Sequence, residues 1–487
     1  MKEIKLLLNP IYILKPDEKK ALLLTKDPIR AKENERIESV IHPIHAMILS
    51  FCDGSEKGKC IKNAASLLKV NEDKIENFIE NIFENENPVH ILYEGKKIYF
   101  PVNTIINSTN VNQKYYKAYD FDYKSVDLRM GRHKTLTDIT LMLTTICKTD
   151  CIYCYADRKK DKMTIPLNII MDVIDEARSL NLRTFDIIGG DIFAYKDWET
   201  VLDKLYSVGF DTYISTKVPL TSDDVRKLKS IGVKDIQISL DTLIKDNLLK
   251  IVRVKDSYYD EIIKTLFLLE EYDIKTNIHT IICNENNSIE DIESLERIIL
   301  KLRNIQLWRI DPATYSLPKG EEFDKFKSNE TSLKIIYDYL SQKTYPIKVL
   351  YNSLNNARNA LKKRKLEFKS NRILCTANYS HLFILPDGQV TICEQLYWNP
   401  NFIVGDITKQ SLSEIWNSKE ALNLYNLEQK KINPESYCSK CDVFNLCRHE
   451  SGGVCWKEVI AAYGSENWDY PDPSCPHAPE IVNNIYI

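Results

Sequence analysis

Apolar and polar residues along the chain follow two different periods, and the change of period divides it. Near the start, the apolar runs Ile11 to Leu14 and Ala21 to Thr25 read as short strands. His45 to Cys52, Lys59 to Leu68 and Glu72 to Phe83 carry apolar residues three and four apart and read as amphipathic helices. VHILYEG and KKIYFP then alternate with period two around Gly95 and predict a hairpin. Strands, three helices and a hairpin wing over residues 1–105 predict a small winged helix-turn-helix domain, followed by a polar, tyrosine-rich linker over 106–136.

From Thr137 to about residue 345, strand and helix patterns alternate strictly. Strands are predicted over Asp138 to Thr144, Arg183 to Ile188, Thr212 to Thr216, Asp235 to Leu240, Lys275 to Cys283 and Ile305 to Ile310. Helices are predicted between them, over Leu167 to Leu180, Trp198 to Val208, Ser222 to Ile231, Tyr258 to Tyr272 and Ile289 to Leu302. Such repetition predicts an α/β fold with a parallel sheet, which the right-handed crossover rule curls into a partial (β/α)6, TIM-like barrel. A bridging segment, 346–374, leads to a cysteine-rich region, 375–487.

Composition permits this architecture and removes some functions. With 487 residues, 44% of them apolar, the chain can bury several cores. Its 66 basic and 69 acidic residues leave a net charge of -3, so no global field favours nucleic acid or an anionic membrane. The N-terminal apolar run is short and broken by Pro10, unlike a signal peptide, and no apolar stretch approaches the roughly 20 residues that span a bilayer. A cytoplasmic location follows, where thirteen cysteines are expected as metal ligands rather than disulfides.

Cys147, Cys151 and Cys154 stand in TTICKTDCIYCYADR, immediately after the first strand of the alternating region. In β/α barrels the active site gathers after the strand C-termini. Three thiolates can hold three irons of a cubane cluster and leave the fourth iron open. A zinc site, a redox-sensing thiol cluster or three buried cysteines are the alternatives, but structural zinc usually takes paired C-x2-C knuckles far apart in sequence.

This run resembles the signature of the radical S-adenosylmethionine (SAM) enzymes. The resemblance implies a 4Fe-4S cluster whose open iron chelates SAM, and a 5'-deoxyadenosyl radical that takes a hydrogen atom from substrate. It places Tyr153, just before the last cysteine, among the cofactor-binding residues. Gly189, Gly190 and Asp191 stand where the family has a GGE-type turn for the SAM amino group, with Asp in place of Glu. Thr216 ends the third strand; Ser239, in QISLD, is implied to touch the SAM carboxylate or ribose, and Arg253 to pair with the carboxylate. Asp241, His279, Arg309 and Asp311 are placed to face a substrate, but none receives a catalytic role.

ILSFCDGSEKGKCIKNAASLL resembles the PqqD-like peptide-recognition domain, which implies a precursor peptide whose leader is gripped by strand addition. DNA binding is disfavoured because Glu72 to Phe83 carries four acidic residues against one lysine. In the last quarter, Gly388-x4-Cys393 and the C-x2-C-x5-C of Cys438, Cys441 and Cys447 resemble the SPASM auxiliary-cluster domain. That resemblance implies one complete iron-sulfur cluster on Cys438, Cys441, Cys447 and Cys475, and ligands to a second from Cys375, Cys393 and Cys455. The chain departs from the common pattern in the seven residues between Cys447 and Cys455 and in having only Cys375 upstream of the glycine element. The second cluster is therefore expected with an open iron or a non-cysteine ligand. Zinc is the alternative for this block, and Cys52, Cys60 and Cys283 read as structural.

The modules together imply a radical SAM/SPASM maturase of a ribosomally made peptide, reduced by a flavodoxin or ferredoxin. Thioether formation is the expected outcome, since an open auxiliary iron can hold a substrate sulfur. Carbon-carbon cross-linking, epimerisation and sulfatase-maturase-like oxidation are the enzymatic alternatives, and an iron-sulfur or zinc redox sensor that binds DNA is the non-enzymatic one.

Overall fold

The computed structural model describes residues 3–110, 116–157, 161–351, 375–450 and 454–481. It separates into two compact units, Met1–Asp138 with Ala177–Thr184, and Ile139–Glu176 with Phe185–Ile487.

The first unit holds β1 (Lys5–Leu8), β2 (Tyr12–Asp17), β3 (Lys20–Thr25), β4 (Glu38–Ile41), β5 (Asp53–Glu56), β6 (Val89–Tyr93), β7 (Lys96–Phe100) and β8 (Ile105–Asn107). Its helices are α1 (Pro43–Leu49), α2 (Lys57–Leu68) and α3 (Glu72–Ile82). Three antiparallel sheets result, in the orders β5-β1-β8, β2-β3-β4 and β6-β7. The helix α3 forms because Ile75, Ile79 and Ile82 recur on one buried face and Asn71 caps its N-terminus by accepting from the Asp73 N–H. Strands β1, β4, β5 and β8 are too short to show a period. Within the predicted linker, Ala118 and Phe121 are buried in the same core. His45 stacks on Phe78 at 4.8 Å and meets the edge of Phe100 at 5.4 Å.

In the alternating region the strands are β9 (Asp138–Met142), β10 (Thr184–Ile188), β11 (Ser215–Thr216), β12 (Asp235–Ser239), β13 (Lys275–Ile282), β14 (Ile305–Pro312) and β15 (Lys348–Tyr351). The helices are α4 (Leu167–Ser179), α5 (Trp198–Ser207), α6 (Ser222–Ile231), α7 (Lys245–Val252), α8 (Ser257–Glu271), α9 (Ile289–Ile299) and α10 (Glu330–Ser341). From β11 to β15 every neighbour is parallel, in chain order. β9 and β10 are also parallel, since the Leu143 N–H donates to Ile188 O and the Gly190 N–H to Thr144 O.

Where one continuous curl was expected, the ladders form two five-stranded sheets. β10 and β9 continue into β16 (His381–Ile384), β17 (Gln389–Thr391) and β18 (Ile403–Asp406) from the cysteine-rich region, while β15 extends the other sheet. β11 is shorter than predicted, and the Tyr213 N–H donates to the Asp186 side chain instead of a ladder carbonyl. Helices α7 and α10 and strand β15 were not foreseen, and the bridging segment beyond Tyr351 lies outside the described residues. Along β13 alternate residues are buried, leaving Asn277, His279 and Ile281 half-buried on the other face, in line with Gln237 and Ser239 of β12. That partly open, polar face is where a ligand can be met. No described helix is long and apolar enough to cross a membrane.

Candidate active site

The cysteine loop leaves the C-terminal end of β9 and is held from two sides. On one side the N–H groups of Asp150 and Ile152 donate to the carbonyls of Val252 and Ile251, the orphan acceptors at the end of α7. Arg253 caps that helix in the left-handed conformation, at φ 52°, and its guanidinium reaches Asp150 at 3.4 Å. The structure thus brings Arg253 to the cysteine loop. Within the loop the thiols of Cys147 and Cys151 converge on the Thr149 hydroxyl, at 3.2 and 3.5 Å. The Cys154 N–H donates to Cys151 O, folding the third cysteine back beside the second. Burial pushes the Cys151 thiol up to about 12, with nearby Lys217 opposing the shift.

On the other side stand the glycines. The Asp191 N–H donates to Ile146 O at 2.9 Å, one residue before Cys147. A Cβ on Gly190 would lie 2.6 Å from Thr145 O and closer still to Ile146 O, so only glycine fits there. The sequence assigned these glycines to ligand approach; the structure adds that Gly190 braces the backbone that delivers Cys147. Asp191 and Thr216 are also brought together. The Asp191 carboxylate accepts from the Thr216 hydroxyl at 2.6 Å and from the N–H groups of Phe193 and Lys217. Burial raises its pKa, and those hydrogen bonds oppose the rise.

Tyr153 points into a buried polar knot that the sequence did not reveal. Its hydroxyl donates to Asp241 at 2.7 Å and accepts from Lys217 Nζ at 2.7 Å, and Lys217 bonds Asp241 at 2.6 Å. The Asp241 side chain is 0% exposed and that of Lys217 11%. Burial works against the Lys217 ammonium, but Asp241 together with Cys151 and Cys283 outweighs it and holds the pKa above the ordinary lysine value. The residue between two candidate ligands is thereby tied to the ends of β11 and β12. Lys217 was missed because nothing but its place after Thr216 marks it.

Ser239 ends β12 opposite His279, on the half-open face. Beside it His279 Nε2 meets Asp311 at 3.1 Å, and Arg309 bonds the same carboxylate oxygen. Burial raises the Asp311 pKa, but His279 and Arg309 outweigh it and leave the carboxyl below its usual range.

In the C-terminal region Cys438, Cys441, Cys447 and Cys475 all line one cavity of about 180 Å³. Cys475 feels the charges of the other three, and burial pushes its thiol up to about 11. Cys375, Cys393 and Cys455 form a second group: burial pushes Cys393 and Cys455 up to about 12, each also raised by its cysteine neighbours. Iron binding at such thiols must displace protons. Among the described residues no three His, Cys, Asp or Glu side chains close around a single ion. A cubane cluster instead spreads its thiolates over separate iron corners, and the clustered thiols, four in one cavity and Cys147 with Cys151 at one hydroxyl, fit iron-sulfur groups. Cys52, Cys60 and Cys283 are buried, as expected of packing residues.

Two family profiles match, one described as Radical SAM superfamily over residues 141–298 and one as an iron-sulfur cluster-binding domain, SPASM, over 375–442. A GTP 3',8-cyclase of Clostridium perfringens strain SM101 is 26% identical over 212 residues, 41% of this chain; the chain spans 61% of that relative's length. A probable GTP 3',8-cyclase of Saccharolobus solfataricus is 25% identical over 293 residues, 59% of this chain and 91% of the relative. Among solved structures, Streptococcus suis SuiB bound to S-adenosylmethionine covers 96% of this chain and 99% of its own at TM-score 0.63 and 13% identity. SuiB bound to precursor peptide SuiA covers 96% and 98% at TM-score 0.63 and 14% identity.

Proposed function

We propose that this chain, which joins a radical SAM domain to an SPASM domain in a fold like that of SuiB, is an enzyme that modifies a ribosomally made peptide. The observation that carries the reading is the pairing of a three-cysteine loop, braced at Gly190 and tied down through Tyr153, with a four-cysteine cavity and a further cysteine trio. The likeness to SuiB spans the N-terminal unit as well as both family matches, which favours a peptide over the nucleotide named for the cyclase relatives.

Cys147, Cys151 and Cys154 would hold the cluster at whose open corner SAM binds; when bound, this pair supplies hydrogen-atom abstraction from an unactivated carbon. The chain's own residues bind and orient. Gly189 and Gly190 offer backbone to the SAM amino group, and Thr216 with Asp191 fixes the turn beneath it. Ser239 and Arg253 provide a hydroxyl and a guanidinium for its ribose and carboxylate. Tyr153 is held in place by Lys217 and Asp241. Cys438, Cys441, Cys447 and Cys475 would hold one auxiliary cluster, and Cys375, Cys393 and Cys455 a second with one corner lacking a cysteine. That corner suits a substrate thiolate, so a thioether is the product this reading favours.

In this reading β9 to β14 with their helices form the wall of a partial (β/α)6 barrel over 137–345, followed by a bridge over 346–374 and the SPASM region over 375–487. The unit over 1–105 is a winged helix-turn-helix that grips a leader peptide, and 106–136 joins the two. β2 and β4 are the edges of the sheet β2-β3-β4, and either offers a row of backbone groups to an added strand. A flavodoxin or ferredoxin in the cytoplasm is the expected reductant. Co-expression with a short cysteine-bearing peptide encoded beside the gene tests the reading by mass spectrometry. A loss of two hydrogens that ties the cysteine sulfur to a carbon is expected; an unchanged mass points to epimerisation or to no reaction, which deuterium incorporation separates.

A further inference from the structure

The wide π turn Leu446–Glu450 carries Arg448 directly after Cys447 and turns it into the cavity of the four cysteines. The side chain is deeply buried, at 7% exposure. Only one of its three nitrogens has partners: Nη2 donates to the carbonyls of Asp469 and Tyr470 at 3.2 and 3.3 Å, and lies 3.6 Å from Cys438 Sγ. Nε and Nη1 are buried without any. A guanidinium carries five N–H donors, so three of them are left unmade in a place water does not reach, which is costly for a charged group.

Among the described residues no carboxylate bonds that guanidinium. Asp469 accepts from the Asn433 N–H through Oδ2 while its Oδ1 is buried without a partner and makes no bond to the guanidinium, and Asp472 is engaged by Ser474 and by the Cys455 N–H. Asp442 is exposed, and His477 stacks on Tyr437 at 4.0 Å. On its other side the guanidinium lies over the Phe444 ring at 5.7 Å, which excludes water without accepting a hydrogen bond. The cavity Arg448 enters is lined by the sulfurs of all four cysteines, and Cys438 Sγ is the one nearest its bonded nitrogen.

We propose that Arg448 donates its unmade hydrogen bonds to the sulfurs of the iron-sulfur group held by Cys438, Cys441, Cys447 and Cys475, and thereby raises the reduction potential of that group. This rests on the iron-sulfur reading of the four cysteines. Four cysteine ligands leave no corner open for a substrate, so this group works by gaining and losing an electron. Each electron gained adds negative charge, and a fixed, buried cation with N–H···S bonds stabilises that form over the oxidised one. Arg448 is a positioning residue in this role and touches no reacting atom of the peptide.

EPR-monitored potentiometry of the anaerobically loaded full chain tests this, with Arg448→Met and Arg448→Lys beside the wild type and Cys441→Ala to identify the signal. Arg448→Met is expected to lower the reduced-to-oxidised ratio of this group at least tenfold at fixed potential, equivalent to a fall of 59 mV for one electron. Arg448→Lys, which keeps the charge and loses the fork, should fall between. The signal lost in Cys147→Ala should not move in either variant. An unshifted midpoint in whichever variant retains its iron overturns the proposal, as does loss of iron from both, which makes Arg448 a residue of folding alone. A wild type that binds no iron in this cavity sinks the iron-sulfur reading itself, a result distinct from an unmoved potential.

Discussion

Replacing Gly190 by alanine sets a methyl group against the backbone at Thr145 and Ile146, with Thr145 O only 2.6 Å away and Ile146 O nearer. Backbone cannot yield as a flexible side-chain end can, so the strand-to-loop junction must move. Overpacking of this kind costs about 1 to 3 kcal/mol. The shift also strains the bonds from the Gly190 N–H to Thr144 O and from the Asp191 N–H to Ile146 O, each contributing about 1 kcal/mol. The sum, about 3 to 5 kcal/mol, is a large part of an ordinary domain's stability. Because Ile146 precedes Cys147, displacement should also loosen the iron proposed to bind there. Gly58→Ala is the control: nothing lies within 4 Å of its Cβ position in α2, and alanine there should add about 0.5 to 1 kcal/mol. Anaerobic urea unfolding followed by circular dichroism, with iron analysis, reads both effects. Gly190→Ala that unfolds within about 1 kcal/mol of wild type and keeps its full iron would refute the bracing argument.

Lys217→Met leaves Asp241 buried without its cation and should cost roughly 3 to 5 kcal/mol, measured by the same unfolding; a change near zero would mean that Tyr153 and Ile281 alone satisfy the carboxylate. Burial lowers the His45 pKa to about 4 from an ordinary 6.5. Below pH 6.5 the unfolded chain therefore takes up a proton that the folded unit refuses, and stability falls by up to about 3 kcal/mol between pH 6.5 and 4. His45→Phe should flatten that slope in denaturant titrations at fixed pH, and an undiminished slope would place the titrating group elsewhere. Cys441→Ala should remove about four irons from the loaded protein; unchanged iron would exclude the four-cysteine cavity as a cluster site.

The sequence was most legible where a period ran long. β12, β13 and β14 lie within three residues of their predicted ends because alternation over five to eight residues fixes both strand and face. The two cysteine groupings came from the resemblance to the SPASM domain, not from spacing; in the structure Cys438, Cys441, Cys447 and Cys475 line one cavity, and the charge of Cys375 acts on both Cys393 and Cys455. What stayed hidden depends on tertiary contact. β15 is four residues long and takes its place from its pairing with β14, which no local pattern announces. Lys217, Thr149 and Arg448 look like ordinary polar residues in the chain, and become notable only when folding buries them beside Asp241, two thiols and a sulfur cavity.

Cys147, Cys151 and Cys154 are proposed to hold a reducible centre that cleaves SAM. Release of 5'-deoxyadenosine from SAM after anaerobic reduction tests it directly, in the wild type and in the variant with all three cysteines changed to alanine. Product is expected from the wild type and none from the variant, while the iron of the C-terminal cysteines remains. No product from an iron-loaded, reduced wild type, or equal product from both proteins, would contradict it.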